Sequence, residues 1–274
     1  MEPLVSVIIT TKNEEKNIEN CLKSVWAQNY PKDKIEIIVV DNNSADKTQE
    51  IARKYTDKVF NKGPERSAQR NFGMIEKSSG AYLMYLDADM ALDKNVIKDC
   101  ADKMESDPIL AALYVSEIVT GEKFFSKVRR FERSFYDGTV IDGVRFFKKE
   151  IFAKVGGFDE GMSGPEDWDL DKKIRSIGKI GLVKTPIYHN EAEFDLKKYL
   201  SKKGYYARSF DRYMEKWGKD DADIKKQVGF YYRFFGVFTE NGKWVKLIKH
   251  PALTLGMYFL RFLVGVKFLK RGKN

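Results

Sequence analysis

The run Tyr82-Leu83-Met84-Tyr85-Leu86-Asp87-Ala88-Asp89 constrains this chain more than any other stretch. Five apolar or aromatic residues in succession predict a buried strand, and they stop on two carboxylates. Open α/β sheets hold their ligands at the carboxyl ends of such strands. Two carboxylates one residue apart raise one another's pKa, so the pair calls for a positive charge between them. Hard oxygen ligands of this kind suit Mg or Mn, with the coordination completed by substrate phosphates. In an isolated Asp-x-Asp the second acid, here Asp89, more often caps the following helix, expected over Leu92 to Met104, so the rest of the chain must decide.

Upstream, strand and helix patterns alternate. Val5 to Thr10 is β-branched and leads into a helix with Ile18, Leu22, Val25 and Trp26 on one face. Ile35 to Val40 ends on Asp41, and Asn42-Asn43-Ser44 can cap a helix running to about Tyr55. A short strand from Lys58 to Phe60 precedes a helix from about Arg66 to Lys77. The alternation predicts an α/β fold whose mostly parallel sheet gathers its strand exits on one rim. Those exits carry Thr10, Thr11 and Glu14, then Asp41 and Asn43, then Arg66 and Arg70, then Asp87 and Asp89. Acid and amide groups suit base and ribose hydroxyls, arginine suits a diphosphate, and a metal bridges its oxygens, so the rim predicts a nucleoside diphosphate. Neither Gly-x-Gly-x-x-Gly after the first strand nor Gly-x-x-x-x-Gly-Lys occurs, which turns the reading away from dinucleotide enzymes and P-loop nucleotidases.

Composition sets the outer bounds. A chain of 274 residues, 43% apolar and 32% charged, is long enough for a real core. Cys21 and Cys100 fall in helical patterns and form no disulfide framework, and Leu4 to Ile9 is too short for a secretion signal, so a cytosolic setting is expected.

Five short motifs follow in order: Thr11-Lys12-Asn13-Glu14, Val40-Asp41-Asn42-Asn43-Ser44, Arg70-Asn71, Asp87-Ala88-Asp89, and Gly156-Gly157-Phe158 followed by Glu166-Asp167-Trp168-Asp169-Leu170. Together they resemble the family 2 glycosyltransferases of GT-A fold. The resemblance covers about residues 4 to 190. It implies inverting transfer of a sugar, such as mannose or another hexose, from a GDP- or UDP-linked donor. Asp89 would be a metal ligand for Mn or Mg, and Asp87 would lie near ribose and metal. Thr11 stands where many members have proline, a departure that touches the nucleotide loop.

Glu166 and Asp167 open a helix expected to bury Leu170, Ile174 and Ile177, and as first-turn acids they favour its dipole by under about 1 kcal/mol. The resemblance gives them more to do: Asp167 matches the family's base, which deprotonates the incoming hydroxyl, and Glu166 would position the acceptor. His189 follows the strand-like Gly181 to Tyr188, where some relatives place a histidine near the metal.

From Lys197 onward, 19 Lys and Arg stand against 6 Asp and Glu. Two apolar or aromatic runs, 228 to 238 and 251 to 269, share this tail, and the second is broken by Arg261 and Lys267. A central arginine costs about 2.5 to 3.5 kcal/mol on insertion scales, so a helix lying in an anionic membrane surface fits better than a span. Runs this apolar do not suit nucleic acid. Phe124 to Tyr136 reads equally as a further membrane-facing helix or an ordinary core helix. The expectation is a catalytic domain over 1–195, with a nucleotide-sugar half at 1–90 and an acceptor half at 91–195, followed by a helical membrane-associating region at 196–274. The enzyme would work as a peripheral or monotopic protein on the cytoplasmic side of the cell membrane, with a lipid or lipid-linked acceptor. The rival readings are a polyprenyl-phosphate glycosyltransferase, whose acceptor needs no base, and a non-catalytic binder of nucleotide sugar or anionic lipid.

Overall fold

A computed structural model describes residues 2–191, 194–207 and 209–269. The chain forms two compact units. The first comprises Met1–Glu117, Gly143–Glu160 and Glu166–Asn190, and the second Ile118–Asp142, Gly161–Pro165 and Glu191–Asn274. The boundary expected at 195 is thus replaced by an interleaved one, because the helix Phe124–Arg133 packs with the helix Pro251–Leu269.

The sheet has eight strands: β1 (Val5–Thr11), β2 (Ile35–Asp41), β3 (Val59–Asn61), β4 (Tyr82–Asp87), β5 (Met90–Leu92), β6 (Leu110–Val119), β7 (Val144–Lys148) and β8 (Lys179–His189), in the order β3-β2-β1-β4-β7-β6-β8-β5. The first four are parallel, as the alternation predicts, with Thr10 level with Asp87 and Thr11 level with Asp41. The pairs β4–β7, β6–β7 and β5–β8 are antiparallel, so the sheet is mixed.

Period-two alternation splits the core by face. Val5, Val7 and Ile9 of β1 with Met84 and Leu86 of β4 pack against the helices Ile18–Trp26 and Val96–Ser106. Ile8, Leu83 and Tyr85 point to the other side, with Phe147, Phe152, Phe158, Leu170 and Ile174. At about 25 cal/mol per Å² of apolar surface, such fully buried side chains supply most of the drive to fold.

Several local expectations shift. The helix expected from Leu92 starts at Val96, because Met90–Leu92 is a strand paired with β8. The helix after Asp41 is confined to Thr48–Ala52, since Ser44 folds back on Asp41 instead of capping. Trp26 is 47% exposed, with its indole donating to the Tyr55 carbonyl, and Ile177 lies past the helix end at Arg175 and is 39% exposed.

Candidate active site

Asp87 continues the face of β4 that carries Leu83 and Tyr85, so it meets what packs there. That is Arg70, from the short helix Arg66–Asn71, only 1% exposed. Arg70 Nη2 lies 3.1 Å from Asp87 Oδ1 and Nη1 lies 3.1 Å from Asp167 Oδ1, while the guanidinium sits 4.2 Å over the Tyr85 ring. Tyr85 donates its hydroxyl to the same Asp167 oxygen at 2.9 Å, and Thr10 donates to Asp87 at 3.1 Å. Arg66 stands 3.5 Å from Asp87 and 3.8 Å from Glu166. Two arginines and three acids, read separately from the sequence, therefore form one cluster at the carboxyl end of the central strand.

The glycines before the helix Glu166–Arg175 serve the same cluster. Gly157 holds φ +63, and a Cβ there would lie 2.5 Å from the Asn71 side-chain oxygen. Asn71 accepts from the Phe158 N–H at 2.8 Å and donates to its carbonyl at 2.9 Å. Phe158 is thereby seated edge-on to Tyr85 and 5.2 Å from the Arg70 guanidinium.

Charge in the cluster is uneven. Burial opposes ionisation of Asp87, but Arg70 and Arg66 outweigh it and hold the carboxyl far below its ordinary range. Burial and then the negative charge of Asp167 raise Glu166 above its usual value, against the pull of Arg70 and Arg66. Asp167 is 27% exposed, and among the described residues its Oδ2 has no hydrogen-bond partner.

Asp89 turns elsewhere. The pairing of Met90 with His189 brings the imidazole beside it, and His189 Nε2 lies 3.3 Å from Asp89 Oδ2. Glu117 takes the other ring nitrogen, Nδ1, at 2.9 Å. Burial works against the imidazolium, yet the hydrogen bonds to Asp89 and Glu117 prevail and push the His189 pKa up to about 10. Asp89 Oδ1 is buried with no partner among the described residues. A buried orphan carboxylate oxygen beside an imidazole whose far nitrogen meets a second carboxylate would suit a divalent cation that takes the place of the Nε2 proton. Among the described residues no three His, Cys, Asp or Glu side chains converge on one point, and beside Asp87 the positive charge comes from guanidinium groups.

The first two rims are tied together. Asn13 Oδ1 accepts from the Ala45 N–H at 2.9 Å, and the Glu14 N–H donates to Thr48 Oγ1 at 2.8 Å. Asp41 is fully buried and accepts from the Ser44 N–H and Gln49, whereas Asn43 is exposed with φ 51. Thr11 is 4% exposed with its hydroxyl unpartnered among the described residues, and Gln69 donates to its carbonyl.

Sequence reasoning misses Glu117, Tyr85 and Arg145. Arg145 lies 3.3 Å from Glu117 and 4.7 Å from the Tyr85 ring, so it joins the Asp89 and Asp167 ends of the site. A lone charge inside an apolar strand run, as in Val144-Arg145-Phe146-Phe147, is the signal that could have found it.

Comparison with known proteins points the same way. The profile of "Glycosyl transferase family 2" matches residues 6–156. Glycosyltransferase AglE of Haloferax volcanii is 48% identical over 94 residues, which is 32% of this chain and 31% of AglE. The beta-monoglucosyldiacylglycerol synthase of Synechocystis is 23% identical over 239 residues, 78% of this chain and 50% of the synthase. The chain therefore spans half or less of these relatives. The mannosyltransferase PcManGT from Pyrobaculum calidifontis, solved in complex with GDP-Man and Mn2+, superposes with a TM-score of 0.68 at 20% identity, covering 98% of this chain and 88% of that one, and so shares the fold.

Proposed function

The chain belongs to glycosyl transferase family 2, and from that membership we propose that it moves a hexose from a nucleotide sugar to a hydroxyl of a lipid or lipid-linked acceptor, with inversion. One observation carries the reading: Asp167 is held through Oδ1 by Arg70 and Tyr85, leaving Oδ2 free to take a proton. A carboxylate fixed in that way, with an acceptor hydroxyl in reach, is what general-base catalysis requires. Glu166 stands beside it to orient the acceptor, and Arg66 and Arg70 give the donor diphosphate its positive surroundings. Asp89 and His189 would hold a divalent cation, Mn or Mg, which when bound supplies positive charge for the departing nucleoside diphosphate. Thr10, Thr11, Glu14, Asp41 and Asn43 line the rims assigned to the nucleotide, the buried Asp41 by shaping the loop and the exposed Asn43 by direct contact.

A GDP-linked donor is supported by the complex of PcManGT with GDP-Man, and a lipid acceptor by the name of the Synechocystis synthase. We place the reaction at the cytoplasmic face of the cell membrane. Supporting this, Leu255 and Phe262 of the helix Pro251–Leu269 are 73% and 62% exposed within the basic tail. Among the described residues no helix is long and apolar enough to cross a membrane; the mode proposed is surface attachment through this exposed apolar stripe.

A thermal-shift panel of UDP- and GDP-sugars, each with Mn or Mg, tests the donor, since a ligand that binds only the folded state raises its stability. At least one donor should raise the Tm, and more so with the cation than without. A flat response across the whole panel would sink the reading.

A further inference from the structure

Arg145 is a charged residue set inside the buried run Val144-Arg145-Phe146-Phe147, and the transfer chemistry assigned above gives it no task. Strict alternation along β7 would put Val144 and Phe146 on one face. Instead Val144 and Phe147 share the face that carries Tyr85, while Phe146 packs in the opposite core. The cause is a slip in register: Leu113 and Tyr114, adjacent on β6, stand opposite Phe146 and Val144, so Arg145 is an extra residue with no counterpart there. Bulges of this kind re-aim one side chain, and they are frequent beside active sites.

The re-aimed side chain is only 8% exposed and meets both ends of the site. At one end, Arg145 Nη2 lies 3.3 Å from Glu117 Oε2, while the other oxygen of that carboxylate, Oε1, lies 2.9 Å from His189 Nδ1. With Nδ1 engaged in this way, the imidazole turns Nε2 toward Asp89 at 3.3 Å. At the other end, the guanidinium lies 4.7 Å from the centre of the Tyr85 ring, whose hydroxyl donates to Asp167 at 2.9 Å. All of these residues belong to the first unit.

Stability alone is a weak reason for such a group. Apolar residues of similar volume often serve a core as well as a buried ion pair does, and here Arg145 Nη1 is left buried with no partner among the described residues. The fold keeps a costly side chain at a place that touches both Glu117 and Tyr85. We propose that Arg145 is a positioning residue: through Glu117 it fixes the cation ligand His189, and through Tyr85 it fixes the base Asp167, so that one side chain sets the donor and acceptor ends of the site together. The proposal rests on the transferase reading given above.

A planar fork can meet a carboxylate and cover a ring at once, which an ammonium cannot, so Arg145→Lys keeps the charge beside Glu117 and loses the link. Mn2+ is titrated into the full chain without donor, and free Mn2+ is read by electron paramagnetic resonance. The variant should bind Mn2+ about 10–100-fold more weakly, as when a residue that orients a metal ligand is removed. Saturating Mn2+ should restore occupancy without restoring kcat, because Asp167 is still held loosely. A purely structural role would lower the Tm without that split.

A double-mutant cycle reads the acceptor end. Tyr85→Phe should lower kcat, and adding Arg145→Lys to it should lower kcat no further, since the route to Asp167 is already cut. A folded Arg145→Lys with the parent's Mn2+ affinity, or kcat losses that multiply in the double variant, would overturn the proposal; Arg145→Met is read in the same way should Arg145→Lys not fold. A parent that binds Mn2+ but consumes no donor would remove the transferase reading and leave the hold on His189 to be judged by the Mn2+ titration, whereas a parent that binds no Mn2+ would remove the proposal itself.

Discussion

Removing the guanidinium of Arg70 would leave Asp87, Glu166 and Asp167 facing one another with little water to separate them. Breaking a buried ion pair on one side costs about 3–5 kcal/mol, so Arg70→Met should lower the unfolding free energy by that order in a denaturant titration. A loss under about 1 kcal/mol would mean that Arg66 alone balances the acids. Asp167→Asn is the milder change: it keeps size and removes only the proton acceptor. Turnover should fall about a hundredfold or more while donor binding holds, and turnover near the parent rate would favour an acceptor that is already an anion. A third residue sets an acid limit on stability. Burial disfavours the Glu36 carboxylate, but Lys58, Ser6 and Ser79 outweigh that and lower its pKa to about 2 from 4.5. The folded pKa is depressed, so the stabilisation is present above the unfolded value and disappears as pH falls from about 4.5 through about 2. Glu36→Gln should flatten stability across that window, and an acid limb identical to the parent's would refute the assignment.

The elements that sequence reasoning reads best are the strands carrying their own signal. β1, β2 and β4 are buried apolar runs, and their polar exits land where the pattern puts them, because a buried strand leaves only its end for ligands. Elements fixed by distant partners are harder to read. Met90–Leu92 looks like the start of a helix until β8 pairs with it, and that same pairing sets His189 against Asp89. Arg145 and Glu117 are invisible as a pair because only the β6–β7 arrangement brings them together. The helix Pro251–Leu269 shows a different limit. In the sequence Arg261 interrupts an apolar run, but in the structure it is buried against Glu132, so the exposed stripe of Leu255, Phe259 and Phe262 carries no charge of its own. If that stripe meets the membrane, replacing all three residues by Gln should greatly weaken sedimentation with anionic vesicles while leaving donor binding by the first unit intact. Equal sedimentation of both proteins would assign the stripe to something other than lipid.

For the whole molecule, the parallel half of the sheet follows from alternating strand and helix patterns, whereas the antiparallel half and the interleaving of the two units depend on long-range pairings that no local pattern encodes. The chemistry assigned to the first unit rests on a nucleotide sugar being consumed there. The most direct measurement is release of nucleoside diphosphate from a panel of UDP- and GDP-sugars, with Mn or Mg supplied, for the parent chain and for Asp89→Ala. Consumption of at least one donor by the parent, lost in excess chelator and lost in an Asp89→Ala protein that unfolds at a similar temperature, is the predicted result. No release from any donor, or full release in chelator, would contradict it.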